Sequence, residues 1–264
     1  MRLDKFLTEM NIGTRSEVKQ LLKKQKVRVN GMTVTRPEMK IDPDLDQVCY
    51  DNRILQYEKY VYYMLHKPAG VVSATEDAVE QTVVDLLAIE NCKGLFPVGR
   101  LDKDTEGLLL LTNDGAFAHS VLSPKKHVQK CYYAILDKSC TDAEVHAFWQ
   151  GLDIKDDKLT LPAILKPLSK AEHERYQSQI TTPAYASLTG YGALVWITEG
   201  RYHQVKRMFA VFQQEVLYLK RLSMGALMLD EGLPTGSYGK LSKEVAEKAL
   251  LSSEVRDRNI STEI

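Results

Sequence analysis

The chain has 264 residues, of which 44% are hydrophobic and 27% are charged. This composition excludes a fibrous or largely disordered protein and is sufficient for two globular domains. Lysine plus arginine and aspartate plus glutamate number 35 each, so net charge does not by itself indicate a nucleic-acid partner. The four cysteines, at positions 49, 92, 131 and 140, lack CxxC spacing. We therefore predict free thiols and, because the N-terminus has no apolar signal segment, a cytoplasmic protein.

Residues 1–36 predict two short helices followed by a β-hairpin. Apolar residues spaced three and four apart indicate the first helix. Thr14 begins the second helix, and Glu17 stands three residues later, in the position of a capping box. Asn30-Gly31, a pair that suits a type I′ turn, separates two predicted strands.

The same segment is basic, with nine lysines and arginines against three acids. Arg15, Lys19 and Lys23 recur four residues apart and therefore line one edge of the second predicted helix. A solvated helix face is the alternative, but few acids are interleaved, so we favour contact with RNA. The predicted RNA-binding residues of this segment are Arg2, Lys5, Arg15, Lys19, Lys23, Lys24 and Arg28.

Beyond residue 60 the predicted strands outnumber the helices. The predicted strands are residues 60–65, 107–112, 131–136, 193–198 and 216–220, and the predicted helices are residues 83–89, 205–212 and a polar stretch from 241. These elements do not alternate as βαβ units. We therefore predict an α+β fold, with a mixed, mainly antiparallel β-sheet flanked by helices.

A charged loop, residues 99–107, lies between two apolar segments and holds two cations and three carboxylates. Loops anchored on a sheet commonly hold reactive groups, but Asp102 and Asp104 could equally shape a turn, and the residues alone leave both interpretations open. The chain contains no P-loop, GxGxxG, HExxH or GxSxG motif. Catalysis would therefore rest on ordinary side chains, with no cofactor and no metal.

Four stretches, in order, resemble the motifs of pseudouridine synthases, in the branch typified by the enzyme that modifies small-subunit ribosomal RNA. They are YYMLHKPAG at residues 62–70, GRLDKDTEGLLLLTNDG at 99–115, KKHVQKCYY at 125–133 and ITEGRYHQVKRMF at 197–209. The N-terminal stretches RLDKFL and TRSEVKQLLKKQKVRVNG resemble the S4 RNA-binding domain, a helix pair followed by a hairpin. The similarity extends to about residue 240.

From the resemblance and the pattern together we predict four segments. They are an S4-like RNA-binding domain at residues 1–48, a linker at 49–60, a catalytic domain at 61–240, and a C-terminal helix with a frayed tail at 241–264. The resemblance implies a cofactor-free isomerase that converts uridine to pseudouridine in 16S ribosomal RNA, at uridine 516 in the standard rRNA numbering. The implied partner is ribosomal RNA or a small-subunit assembly intermediate, bound by a monomer.

The resemblance also assigns the catalytic residues. Asp102 corresponds to the family's catalytic aspartate, which must stay ionised in a closed pocket. Because burial alone would neutralise it, a cation is required nearby, and the third motif implies Lys206. Tyr132 is implied to stack on the flipped uracil; without the resemblance it would be taken for a core aromatic. Tyr133 should point to the opposite face of the strand.

Further contacts follow from the same resemblance. Arg100 is implied to contact RNA where the base has left the helix, with an ion pair to Asp104 as the alternative. The weaker candidates for phosphate contacts are Lys125, Lys126, His127, Arg201 and Arg207. Leu222 is implied to form a wall of the pocket, although leucines at such positions usually belong to the core.

Three other functions were weighed. A large-subunit (23S) rRNA synthase would share the whole pattern. A non-catalytic RNA-binding assembly factor would have no reason to keep Asp102, Tyr132 and Lys206 together. Glycosidase-like hydrolysis by Asp102 and Asp104 is poorly supported, because residues two apart do not oppose an acid and a base across a bond.

Overall fold

The computed structural model describes residues 1–10, 12–55, 57–88 and 94–252. The chain divides into a smaller compact unit, built mainly from Met1–Tyr60, and a larger one, built from Val61–Leu87 and from Gly94 onward. Among the described residues, none of the helices has the length and apolar character needed to cross a membrane.

The smaller unit combines two helices with a four-stranded antiparallel sheet of order β2-β1-β3-β4. Its elements are α1 (Leu3–Glu9), α2 (Arg15–Lys23), β1 (Val27–Val29), β2 (Met32–Thr33), β3 (Val48–Tyr50) and β4 (Arg53–Leu55). The predicted capping box is confirmed, because the Thr14 side chain accepts from the Glu17 amide and the Glu17 carboxylate accepts from the Thr14 amide. Apolar residues of both helices, among them Phe6 and Leu22, form the core.

The prediction of a linker at residues 49–60 is wrong for its first part. β3 pairs with β1, with Tyr50 opposite Val27, and β4 pairs with β3. The turn between β3 and β4 is Asp51-Asn52, both in the left-handed region with φ of 48° and 66°. Two short polar residues that tolerate positive φ close a tight hairpin, which the sequence pattern alone made look like a connector.

The larger unit is built on a nine-stranded sheet whose main path is β13-β5-β7-β11-β8-β10-β9, with β6 paired to β7 and β12 to β11. The strands are β5 (Tyr62–Lys67), β6 (Phe96–Pro97), β7 (Glu106–Thr112), β8 (Lys130–Leu136), β9 (Ile164–Pro167), β10 (Tyr191–Ile197), β11 (Val216–Met224), β12 (Leu227–Met228) and β13 (Tyr238–Leu241). Only the β7–β11 pair is parallel among the pairs described. The predicted mixed, mainly antiparallel sheet is confirmed.

Six α-helices accompany this sheet in the described residues: α3 (Gly115–Leu122), α4 (Asp142–Gln150), α5 (Lys170–Gln177), α6 (Pro183–Ala186), α7 (Gln204–Ala210) and α8 (Lys243–Glu247). The predicted helices near residues 205–212 and after 241 are confirmed. The predicted helix at 83–89 is wrong for residues 83–88, and residue 89 lies outside the described residues. Thr82 and Asp85 bond to each other's backbone amides, which closes a local turn instead.

The sheet of the larger unit carries two apolar clusters. One contains Leu108 and Met224 together with Ala246, so the C-terminal helix packs into the larger unit rather than forming a separate segment. The other surrounds Tyr133 and Tyr218 and is covered by α5 and α6. The predicted frayed tail, beyond residue 252, lies outside the described residues.

The cysteine prediction is confirmed where it can be examined. Cys49, Cys131 and Cys140 are free thiols, and Cys92 lies outside the described residues.

Candidate active site

The loop between β6 and β7 presents Asp102 to a cleft of about 670 Å³ that Tyr132 also lines. The loop is held by local hydrogen bonds. The Ser73 hydroxyl accepts from the Leu101 amide at 3.0 Å and donates to the Leu101 carbonyl at 2.8 Å. The Gly70 amide donates to the Lys103 carbonyl at 2.7 Å. The carboxylate of Asp102 therefore projects from a backbone that is fixed on both sides.

Lys67 is fully buried, and its side chain binds the backbone of the same loop. Its ammonium donates to the carbonyls of Pro68, Asp102, Lys103 and Thr105 over 2.9–3.2 Å. Burial lowers the pKa of Lys67 to about 8, against the opposing attraction of nearby carboxylates. Sequence reasoning gave Lys67 no role: its stretch, residues 62–70, was predicted to hold a strand end and to resemble a family motif, and nothing local indicated a contact with the loop of Asp102.

The predicted Asp102–Lys206 pair is present, but Lys206 is shared. Its Nζ lies 3.9 Å from Asp102 Oδ2 and 2.6 Å from both carboxylate oxygens of Asp104. Burial would raise the pKa of Asp104, but the hydrogen bonds and charge of Lys206 outweigh it and the pKa is lowered. Asp102 also lies 3.6 Å from Nε2 of His203, a residue that the sequence did not single out.

His203 and Lys206 owe their positions to the start of α7. His203 precedes the helix in the left-handed region, with φ of 48°, and stacks on Tyr202 with ring centroids 3.9 Å apart. The buried Gln204 accepts from the Arg201 amide and donates to Glu199. This hydrogen-bonded turn fixes the first residues of the helix, so that His203 and Lys206 both reach Asp102.

The two neighbouring tyrosines of β8 point to opposite faces, as predicted. Tyr132 is 7% exposed and lines the cleft. Tyr133 is buried on the other side, where its hydroxyl lies 2.9 Å from His173 Nδ1 and its ring stacks on Tyr176 at 5.1 Å. A phenolic ring and a carboxylate therefore line the same cleft, which suits an aromatic or heterocyclic substrate group.

The prediction that Leu222 walls the pocket is wrong. Leu222 lines a different cavity, of about 340 Å³, together with His66 and Lys220, whereas Leu219 lines the cleft of Asp102. Leu222 lies three residues after Leu219, so ordinary strand alternation turns it to the opposite face, the face of Lys220. Which of the two faces meets the cleft is decided by the packing of the sheet and cannot be read from an apolar pattern.

Arg100 is exposed and lines the cleft, and it forms no ion pair in the part of the chain that the structure describes. The alternative of a pair with Asp104 is therefore not seen, because Lys206 occupies that carboxylate.

The weaker cations of the larger unit separate into two groups. Arg201 binds Glu199 and two backbone carbonyls, and Arg207 binds Asp156 and the Ile154 carbonyl. These guanidinium groups are thus already neutralised within the chain and are poor candidates for phosphate contacts. Lys125, Lys126 and the neighbouring His127 are exposed, and the structure shows no ion pair for them in the described ranges.

In the smaller unit, too, some of the predicted RNA-binding cations form ion pairs and others do not. Arg2 pairs with Asp4 at 2.7 Å and Lys5 with Glu9 at 3.6 Å. The predicted RNA-binding residues that are exposed, and that have no ion pair within the described residues, are Arg15, Lys19, Lys23, Lys24 and Arg28. Lys19 and Lys23 also line a shallow groove of about 260 Å³. The predicted basic edge of α2 is therefore free to meet an anionic partner.

The described residues contain no group of three or more His, Cys, Asp or Glu side chains that could hold a metal ion. The chemistry available in the cleft is that of one carboxylate, Asp102, with the ammonium of Lys206, the imidazole of His203 and the phenol of Tyr132.

Comparison with known proteins identifies similar chains over nearly the whole length. Residues 61–211 match the family model described as RNA pseudouridylate synthase, and residues 1–46 match the S4 domain. An RNA pseudouridine synthase of Bacillus subtilis, YtzG, is 43% identical over 245 residues, covering 92% of this chain and 96% of that protein. Ribosomal small subunit pseudouridine synthase A of Escherichia coli is 36% identical, covering 92% and 97%. A crystal structure of a pseudouridylate synthase superposes with a TM-score of 0.61 at 33% identity, covering 94% of this chain and 99% of that one.

Proposed function

The chain belongs to the RNA pseudouridine synthase family and carries an S4 domain, and we propose that it converts a uridine of small-subunit ribosomal RNA to pseudouridine. By the resemblance of its motifs, the nucleotide is uridine 516 in the standard rRNA numbering. The relative from Escherichia coli, named for the small ribosomal subunit, supports this choice of RNA, because each chain covers nearly all of the other. We also propose that a single cytoplasmic chain acts on the RNA or on an assembly intermediate.

The observation that carries the proposal is the environment of Asp102. Its carboxylate opens into a cleft, within 4 Å of two groups that can hold positive charge, Lys206 and His203. When RNA closes the cleft, loss of water disfavours the ionised carboxylate, and a nearby ammonium opposes this change. The pairing of Asp102 with Lys206 therefore keeps a negative charge available at the sugar or the ring of the bound nucleotide.

The remaining residues account for how a uridine is presented. The family reaction breaks the bond between N1 and C1′, turns the uracil, and forms a bond from C5 to C1′. C5 loses a proton and N1 gains one, so no atom is gained or lost overall. A uridine must first leave its helix, at a cost of a few kcal/mol. In our proposal Tyr132 offsets part of this cost by stacking on the extruded ring. Arg100, which lines the cleft and forms no ion pair within the described residues, contacts the RNA that the base has left.

The first test is Asp102→Asn, which keeps the side-chain volume and removes the charge. We expect turnover of a small-subunit rRNA transcript to be lost while the dissociation constant for that transcript changes little. Asp157→Asn, at an exposed aspartate outside the cleft, is the matched control and should behave as wild type. Turnover retained by Asp102→Asn would rule out the proposed role.

The second test identifies the RNA. Pseudouridine is mapped across the ribosomal RNA of cells with and without the gene. Loss at one small-subunit position supports the proposal. Loss at a large-subunit position would instead support the 23S alternative, and an unchanged map would support a non-catalytic assembly role.

A further inference from the structure

A small cavity of about 190 Å³ lies beside the cleft of Asp102 and shares Arg100 and Tyr132 with it. Its lining includes two cationic side chains of the central strands, Arg221 from β11 and Lys130 from β8. Arg221 is the cross-strand partner of Tyr132 in the β8–β11 ladder. Directly opposed residues point to the same face of a sheet, so the guanidinium group stands next to the tyrosine ring.

Arg221 is only 2% exposed, yet its charge is not balanced within the described chain. Its Nε donates to the Leu108 carbonyl at 2.8 Å, and its buried Nη2 has no hydrogen-bond partner among the described residues. The structure shows no carboxylate in ion-pair contact with it in the described ranges. An arginine cannot give up its proton in a protein, and buried charges are normally paired, so this arrangement is costly without a ligand.

Lys130 adds a second positive charge to the same cavity. Among the described residues, its ammonium donates to two backbone carbonyls, of Val128 at 3.1 Å and of Glu199 at 3.5 Å, and to no carboxylate. Burial, and then the charge of Arg221, lower the pKa of Lys130 to about 8, so the lysine is still mostly protonated near neutral pH. The two positive charges repel each other, and an anion bound between them would relieve this repulsion.

The nearest acid does not fill this role. Glu199 also lines the cavity, but its carboxylate is already occupied. One oxygen accepts from Arg201 at 3.0 Å, and the other accepts from Gln204 at 2.8 Å and from the Leu161 amide at 2.9 Å. Within the part of the chain that the structure describes, the two cations therefore have no carboxylate in ion-pair contact.

Resting on the proposed function, we propose that Arg221 and Lys130 bind a phosphodiester group of the substrate RNA strand adjacent to the extruded uridine. The cavity has less than a third of the volume of the cleft, which suits one charged group rather than a nucleoside. A guanidinium offers the paired donors that phosphate oxygens accept, and the contact is independent of base sequence. It holds the strand at the point from which the base enters the cleft.

The test uses RNA in which single phosphates are neutral. Short RNA hairpins that carry the mapped uridine are made with one methylphosphonate at each position flanking that uridine, and each is compared with the same hairpin carrying an ordinary phosphate. In the wild-type enzyme we expect one position to lower kcat/KM about 10- to 100-fold, the range for loss of a charged hydrogen bond. No sensitive position in this scan would overturn the proposal.

The scan is repeated with Arg221→Met, Lys130→Met and, as a control for loss of one positive charge elsewhere, Lys138→Met. Lys138 binds Asp137 and the Gln213 carbonyl and lines none of the cavities described above. We expect the sensitive position to lose most of its effect in Arg221→Met and part of it in Lys130→Met, but to keep it in Lys138→Met. If Arg221→Met lowers kcat/KM by the same factor whichever phosphate is neutral, and the sensitive position keeps its full effect, Arg221 has only a structural role and the proposal is overturned.

Two further measurements keep the outcomes distinct. If Arg221→Met does not fold, Arg221→Lys retains charge without the paired donors and should show a reduced but detectable effect at the same phosphate. If wild type turns over no RNA, the proposed function has failed. The subsite is then tested separately by titrating inorganic phosphate against wild-type protein with labelled arginine guanidinium groups. A shift of the Arg221 resonance supports the subsite, and no shift contradicts it.

Discussion

Asp102 and Asp104 compete for one ammonium group. Lys206 makes its short contacts with Asp104, which is exposed, and lies farther from Asp102. The Asp102 carboxylate thus has a cation nearby, but its oxygens are not held in a short contact with that cation. A catalytic carboxylate that must meet a substrate benefits from this arrangement, because a tight ion pair would block its oxygens.

Replacement of Lys206 should affect the chemical step. We expect Lys206→Met to lower kcat about 100- to 1000-fold, the range found when one preorganised electrostatic partner is removed. Asp104→Asn is the matched comparison, because it frees Lys206 from its short contacts and should change kcat less than tenfold. Single-turnover rates with saturating enzyme measure both. Equal losses in the two variants would show that the lysine acts through Asp104 alone.

Lys67 should matter for both stability and turnover. Lys67→Met leaves buried carbonyls of the catalytic loop without a donor, so we expect a loss of about 1–3 kcal/mol in the free energy of unfolding. We also expect kcat to fall, because the backbone that carries Asp102 is released. Urea denaturation and single-turnover kinetics measure the two effects. Normal values of both would show that the loop needs no such support.

The pH dependence of turnover follows from the same lysine. Burial lowers the pKa of Lys67 to about 8, so its ammonium becomes a neutral amine as the pH rises above that value. The amine has fewer donors for the loop carbonyls, and kcat should therefore decline above about pH 8. Lys130 has a similar pKa, so Lys130→Met is the control, and the decline should persist in it. A flat profile up to pH 10 would contradict the prediction.

At the scale of elements, the segment between β9 and β10 packs on the face of β8 and β11 that is opposite the cleft of Asp102. Tyr176 of α5 stacks on Tyr133, and Tyr185 of α6 packs against Tyr218. The Thr182 hydroxyl donates to Glu106, the first residue of β7. This segment therefore serves to cover the sheet, and it supports the strand that directly follows the catalytic loop.

Gly107, the second residue of β7, allows β7 and β11 to approach closely. Its φ is +106°, and a Cβ at this position would collide with the backbone of Arg221 on the parallel strand β11. Only glycine allows the two strands to approach at this point. The approach places Arg221 and the start of β7 side by side in the sheet.

The basic edge of α2 should determine the salt dependence of RNA binding. Replacing Lys19 and Lys23 by Gln removes two cations that have no ion pair in the described residues. The slope of log K against log salt, which is negative, should become smaller in magnitude by about 0.7–0.9 per lost phosphate contact. Lys26→Gln is the matched control, because Lys26 already pairs with Asp51 at 3.4 Å. Filter binding over a range of KCl concentrations measures the slope. An unchanged slope in the double variant would assign this edge to solvent.

At the scale of the whole molecule, each unit has its own apolar core. The smaller unit supplies the free cations of α2, and the larger supplies the cleft. In the proposed function both separately stabilised parts of the chain contact RNA, and the larger one also carries the chemistry on the uridine.

This division predicts a local effect of a helix cap. Thr14→Ala removes the side-chain acceptor of the capping box in α2 and should cost about 1 kcal/mol. Hydrogen exchange should become faster for amides of β1 in the smaller unit and stay unchanged for β5 in the larger one. Thr8→Ala, at a threonine inside α1 that caps no helix, is the control. Equal acceleration in both units would show that they unfold together.

Several elements could be predicted because their signals are local. The capping box of α2 and the alternation of Tyr132 and Tyr133 are examples. Two missed helices carry the same kind of signal, since Thr141 with Glu144 and Ser169 with Glu172 form capping boxes before α4 and α5. α5 is polar, and the apolar residues of the short helix α4 do not form a clear stripe, so the caps were the clearest indication.

The sequence by itself determined the fold class and the basic edge of α2, since these depend on local spacing and on residue type, and its resemblance to a known family singled out Asp102, Tyr132 and Lys206. Only the tertiary structure decided that Lys206 is shared with Asp104, that Lys67 holds the catalytic loop, that Leu222 lies away from the cleft, and that Arg221 is buried without a counter-charge. The reason is physical. The partners of a charge, and the face of a strand that meets a cleft, are set by residues that can lie more than a hundred positions away, and local periodicity carries no information about them.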